Sequence, residues 1–242
     1  MLAAPVYSTL GIPLIPGAQR LLPARTTCAT VLHADLHGYD ALVERLAPLA
    51  LVRLLEEFFA MLTNTVLECG GLIYHMAEAD MLAGFGVGDS RHSQLHEGLA
   101  AACLIQQRFA PLRDAWQRGH AIDTGIGIGL HRGEVAVGVF GPSERTALTL
   151  VGDAAQLAAQ LCQRARAGEV LMTAAAHLPP VAAAGSAPAP TLLHLPQLIL
   201  PGRRGPIDAW CVPVQRRLEM RQCAERPGAG HRDFTAPASD TA

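Results

Sequence analysis

The sequence predicts an α+β fold, a mostly antiparallel sheet with helices packed on it. Three observations carry the prediction. Two short apolar, glycine-punctuated stretches, 72–86 and 121–141, read as hairpins. Three longer stretches repeat their apolar residues at helical spacing. The resulting order, β-α-α-β-β-α-β-β-α-β, is not the strict alternation of a parallel α/β sheet, and it places the helices over one face of the sheet.

The chain of 242 residues has room for one full core plus tails. Half its residues are hydrophobic and its net charge is -2, which excludes a nucleic-acid-binding balance. The six cysteines have no paired spacing, against a zinc ribbon or disulfide scaffold and in keeping with a reducing cytoplasm. No apolar run reaches the roughly 20 residues of a membrane span, and no basic start leads into a compact apolar stretch, so no signal peptide is read. All 19 basic residues are arginine.

In order, residues 1–26, rich in proline and without a sustained period, read as a lead-in. A buried strand runs from Thr27 to Leu36. Asp40 is placed to cap the helix that follows, and Pro48 breaks the helical pattern, giving two helices or one kinked helix up to the Gly70–Gly71 stop. After the first hairpin a helix covers 91–118. The second hairpin turns near Arg132 and Gly133, and a loop follows at 142–148. Gly152 and Asp153 open a helix to about Arg166, followed by the strand "EVLMT". Residues 178–190 form a Pro/Ala-rich spacer, "TLLHLPQLILPGRRGPIDAWCVPV" supplies two last strands, and 214–242 are a polar tail that reads as disordered.

The stretch "TVLHADLHGYD" ends an apolar strand on Asp35, turns at Gly38 and opens a helix. A carboxylate at a strand tip beside a helix N-terminus suits a divalent cation and a phosphate chain; it equally suits an ordinary strand–turn–helix corner. Together with the Gly70–Gly71 to Phe85–Gly86 hairpin, "GIGLHRGEVAVGVFG", "LVGDAAQLAAQL" and "LPGRRGPIDAWCV", it resembles the class III nucleotidyl (adenylate/guanylate) cyclase catalytic domain over residues 27–213. The resemblance implies the ferredoxin-like cyclase fold and a dimer whose active sites draw on both subunits. One subunit brings two metal-binding aspartates. The other brings base-reading residues, an Asn and an Arg.

Carried over residue by residue, the first metal Asp is Asp35, with Leu36 supplying a backbone carbonyl; Gly38, Tyr39 and Asp40 face the phosphates. The second metal Asp falls on Ala79, preceded by Glu78 where the family has glycine. Asp80 is one residue late, which along a plain strand turns it to the other face; a local bulge would restore it as a metal ligand. The base-reading positions fall on His75 and Thr149, the ribose-orienting Asn on Gln156 and the transition-state Arg on Gln160. Arg164 lies one further i+4 step along that helix face, about 6 Å away by helix rise.

The expected function is a degenerate cyclase-like domain in intracellular cyclic-nucleotide signalling, catalytically impaired and acting as a regulatory or dimerisation module. It would pair with itself or with another cyclase domain, bind ATP or GTP with Mg or Mn if it binds nucleotide at all, and act in the cytoplasm. The alternative is a divergent but active cyclase using Asp35 with Asp80 or Glu78 and Arg164. A third reading is a transition-metal module built on His33, Asp35 and His37, with His75 on a neighbouring strand; against it stands His33 as a core residue and His37 as a turn residue. His92 and His96 read as a solvated helix start, the "GIGIGL" run as strand rather than phosphate cradle, and the arginines between 203 and 221 as solvated surface.

Overall fold

The structure, a computed structural model, describes residues 6–7, 13–14, 24–87, 94–140, 147–176 and 192–213. The 178–190 spacer, the tail and His92 therefore lie outside the described residues. In chain order the elements are β1 (Val6–Tyr7), β2 (Pro13–Leu14), β3 (Arg25–His37), α1 (Tyr39–Arg45), α2 (Pro48–Glu68), β4 (Leu72–Ala77), β5 (Asp80–Phe85), α3 (Gln94–His120), β6 (Gly125–Phe140), β7 (Ala147–Val151), α4 (Asp153–Arg164), β8 (Val170–Thr173), a short 3-10 turn (Ala174–Ala176), β9 (Leu193–Leu198) and β10 (Ile207–Val212). Among the described residues, β1 pairs only with β2. The main sheet runs β4-β5-β3-β6-β8-β10-β9, with β7 also on β6. Among the described residues only the β6–β8 pair is parallel, so the mostly antiparallel α+β sheet stands as predicted.

Strand alternation divides the core. Leu32, Ala34 and Leu36 of β3 and Ile126, Ile128 and Leu130 of β6 face α2 and α3, meeting Phe58, Leu62, Ile105 and Phe109. Ala29 and Val31 point the other way, packing with Val135, Val137 and the α4 residues Ala154 and Ala158. The helices thus cover both faces rather than one. The reason is the "GIGIG" stretch. A Cβ on Gly129 would stand 2.0 Å from the Ala158 carbonyl oxygen and 2.4 Å from the Cys162 amide nitrogen, and one on Gly125 would stand 2.4 Å from the Ala167 Cβ. Alternate glycines strip one strand face of side chains, and α4 lies down in the groove.

Two further expectations change. No turn occurs at Arg132–Gly133: β6 is continuous because each residue from Gly125 to Val137 is laddered to β3, and its hairpin partner is β7, where Phe140 faces Ala147. Helix α1 starts at the Gly38 N-cap without a side-chain cap bond. Asp40 sits in its first turn, where it complements the helix dipole rather than capping. Gly38 is required there, since its φ is +86° and a Cβ would lie 2.5 Å from the Asp123 carbonyl oxygen.

Candidate active site

The strand-tip carboxylates come first. Asp35 is directly opposite Asp80 in the β3–β5 ladder, so the two project from the same face. The expectation that Asp80 turns away is overturned by the β3–β5 ladder, which runs without a shift from Thr30–Phe85 to Asp35–Asp80. The register shift between Ile73 and His75 lies in β4, and a two-residue turn, Glu78–Ala79, flanked by the Ala77–Asp80 pair, joins β4 to β5. Glu78 takes φ +49°, the left-handed conformation usually given to glycine at this place in a hairpin. Ala79 is 4% exposed within the apolar core, and its carbonyl accepts the Leu36 N–H at 3.1 Å. Ala79 is thus spent on packing, while its neighbour Asp80 takes the face that carries Asp35.

Two imidazoles flank Asp80. His33 Nε2 lies 3.9 Å from Oδ2, and His75 Nε2 lies 3.7 Å from Oδ1. Both separations exceed hydrogen-bond range, and Asp80 Oδ1 and His33 Nδ1 are buried atoms without hydrogen-bond partners. Burial pushes His33 below its usual titration range, against the pull of Asp80 and Asp35. His33 is therefore not a satisfied core residue. His37 goes elsewhere, its Nε2 resting 2.6 Å from where a Gly127 Cβ would be. Paired carboxylates with an unpartnered buried oxygen suit a divalent cation, although no three His, Cys, Asp or Glu side chains among the described residues form a ready-made metal cage.

The second half-site lies on α4. Gln156 is exposed, and Gln160 is tied down: its amide nitrogen donates to the Pro201 carbonyl at 2.7 Å and its oxygen accepts from Arg203 Nε at 3.1 Å. Arg203 also pairs through Nη1 with Asp153 at 2.8 Å, and that guanidinium holds the Asp153 carboxyl below its usual range. Arg164 donates to the Ile199 carbonyl at 3.3 Å. This face of α4 thus fastens the loop between β9 and β10. Arg203, read from sequence as solvated surface, is the residue that reading missed. Its signal lay in the "LPGRRGP" turn, but its 43-residue separation from Gln160 hid the contact. On β7, Thr149 Oγ1 donates to the Ala147 carbonyl at 3.3 Å, and Tyr39 packs on the core. His75 lies on β4 and Thr149 on β7.

An adenylate cyclase of Anabaena cylindrica is 30% identical over 146 residues, 57% of this chain and 27% of that protein. The chain spans about a quarter of the length of the curated relatives it matches. Among solved structures, the adenylyl cyclase CyaB from P. aeruginosa superposes with a TM-score of 0.71 at 23% identity, over 81% of this chain and 98% of that one. The guanylate cyclase domain of RhGC from Catenaria anguillulae, solved in complex with GTP, gives 0.68 at 17% identity over 78% and 98%. The family model for the adenylate and guanylate cyclase catalytic domain matches residues 22–179. This chain belongs to the adenylate and guanylate cyclase catalytic domain family.

Proposed function

We propose that this domain is a catalytically impaired cyclase module that acts through pairing with another cyclase domain, its own copy or a different one. The observation that carries the reading is the engagement of Gln160. A neutral amide stands where the family's charge-stabilising Arg would be, and both of its polar ends are used inside the chain. Removing one preorganised charge-stabilising donor typically costs about 10²–10³ in rate. Arg164, the nearest substitute along the helix, is turned to Ile199. Exposed apolar residues Phe140 and Val151 on the β6–β7 hairpin support a pairing surface.

Asp35 and Asp80 would hold Mg or Mn on the phosphates of a bound ATP or GTP, and the cation would neutralise phosphate charge there. Asp40, exposed at the start of α1, opposes a triphosphate by like charge. None of the described helices is long and apolar enough to cross a membrane; we place the domain in the cytoplasm, in cyclic-nucleotide signalling.

A second reading, a divergent active cyclase forming 3',5'-cyclic nucleotide and pyrophosphate, is favoured by the Asp35–Asp80 register. The two readings part on product formation with manganese and ATP or GTP. Cyclic nucleotide made by the native chain and abolished by Asp35→Ala would establish the active reading; folded protein without product supports the impaired one.

A further inference from the structure

We infer that His131 and the Asp153–Arg203 ion pair form a proton-operated latch, which holds the β9–β10 loop on α4 near neutral pH and releases it in mild acid. His131 stands on β6 between two elements. Its Nδ1 is 2.7 Å from the Thr173 hydroxyl of β8. Its Nε2 and the Ala154 Cβ each lie 3.0 Å from the point where a Gly133 Cβ would be, so that nitrogen faces the first turn of α4. The same turn carries Asp153, whose two oxygens hold Arg203 Nη1 at 2.8 and 2.9 Å. Arg203 Nε donates to Gln160, Gln160 donates to the Pro201 carbonyl, and Arg164 donates to that of Ile199. Within this attachment Asp153–Arg203 is the ion pair, and it is the part a nearby charge can undo.

Asp153 from α4 and Arg203 from the loop are the charges that act on His131. β8 brings the Thr173 hydroxyl, the 3-10 turn only alanines, and β3 sets Val31 opposite in the ladder. Arg132 and Glu134, its neighbours on β6, alternate to the other strand face or lie beyond it. A neutral imidazole leaves Asp153 to Arg203. An imidazolium has an N–H on both nitrogens; its charge attracts Asp153 and repels the Arg203 guanidinium. With the loop closed, burial chiefly, with Asp153 opposing and Arg203 adding, holds the imidazole below its usual range. Opening the loop wets the ring and takes Arg203 away, so the open form binds the proton more tightly and acid shifts the loop toward it. The loop is also built to move. Gly202 and Gly205 bracket Arg203 and Arg204, and an added Cβ at either would meet nothing within 4 Å. In the closed form Arg203 Nη2 is buried without a hydrogen-bond partner, a cost that the Asp153 charge offsets.

The inference does not depend on cyclase activity, since the loop is read without nucleotide. Amide hydrogen exchange of the full chain is compared at pH 7.5 and pH 5.5, corrected for the intrinsic pH dependence, with α3 as internal reference. Residues 199–206 are expected to lose protection relative to α3 by several-fold and at most about tenfold, the limit for an open form that titrates at 6.5. His131→Asn, which keeps a polar group for Thr173, should hold the loop equally at both pH values. Arg203→Ala should free the loop at both, and should raise the His131 titration followed by NMR. Arg203 lies at the loop tip, outside the core, so this variant reads the latch even where His131→Asn does not fold. Loop protection independent of pH in the native chain, an equal loss in His131→Asn, or a His131 titration unmoved by Arg203→Ala would each overturn the inference.

Discussion

Arg203 Nε donates to Gln160 Oε1 at 3.1 Å while its Nη1 reaches Asp153 at 2.8 Å, so one arginine fastens the β9–β10 loop to both ends of an α4 face. That face carries two neutral amides, Gln156 and Gln160, and an internal latch.

Replacing Gln160 by Arg should therefore not simply restore what is missing. The new guanidinium loses the acceptor that Arg203 uses and sets two cations side by side. The variant is expected to be less stable by about 1 kcal/mol, read as a lower urea midpoint with an unchanged slope. An unchanged midpoint would show that the latch contributes nothing.

The Asp153–Arg203 pair has a pH signature. The folded-state pKa of Asp153 is depressed, so its contribution is present above the unfolded value of 3.8 and is lost as the pH falls through the folded value. Arg203→Ala should remove that acid-sensitive contribution. Parallel stability–pH curves for native chain and variant below pH 4 would contradict it.

His131 titrates in the opposite setting, a half-buried imidazole bonded to Thr173 Oγ1 at 2.7 Å. Burial lowers its pKa, with Asp153 opposing and Arg203 adding to the shift. A lowered folded pKa means that the unfolded chain takes up the proton first. Stability is thus full above the unfolded value of 6.5 and declines as the pH falls below it. His131→Asn should flatten the fall in unfolding free energy between pH 7 and pH 5; an equally steep fall would exclude His131 as its source.

Glu78 holds φ +49° at the β4–β5 turn. A side chain in this left-handed region costs about 1–2 kcal/mol, so Glu78→Gly should raise stability by about 1 kcal/mol in urea titration despite glycine's larger unfolded entropy. A destabilised variant would mean that the Glu78 side chain supports the turn.

At Gly129 the expectation is opposite. An added methyl would meet the α4 backbone at 2.0 Å, where nothing flexible can yield. Gly129→Ala should cost about 3 kcal/mol, the upper end for an overpacked core, whereas wild-type stability would mean that α4 is free to lift away from β6.

Much of this was readable from local pattern. Strand β3, the Gly70–Gly71 stop and the start of α4 at Asp153 follow from periodicity and glycine placement. What was not readable depended on partners distant in sequence. The 16-residue β6 looks like a hairpin at Arg132–Gly133 until the 13-residue β3 is seen beside it. The face of Asp80 depends on the β3–β5 register, which pairs it with Asp35 and which no residue type announces. Placing α4 on the second face required seeing that alternate glycines leave room for a helix. Arg203 was not readable, because its meaning comes from Gln160, 43 residues away in sequence.

The central claim is that this chain has lost catalysis at α4 while keeping a carboxylate pair at the sheet. It is tested most directly by incubating the native chain and Asp35→Ala, both shown folded by circular dichroism, with manganese and ATP or GTP, then quantifying cyclic AMP, cyclic GMP and pyrophosphate. The account predicts no cyclic product above that of the Asp35→Ala control. Cyclic product from the native chain that disappears in the control would contradict it and make this domain an enzyme with a rebuilt site.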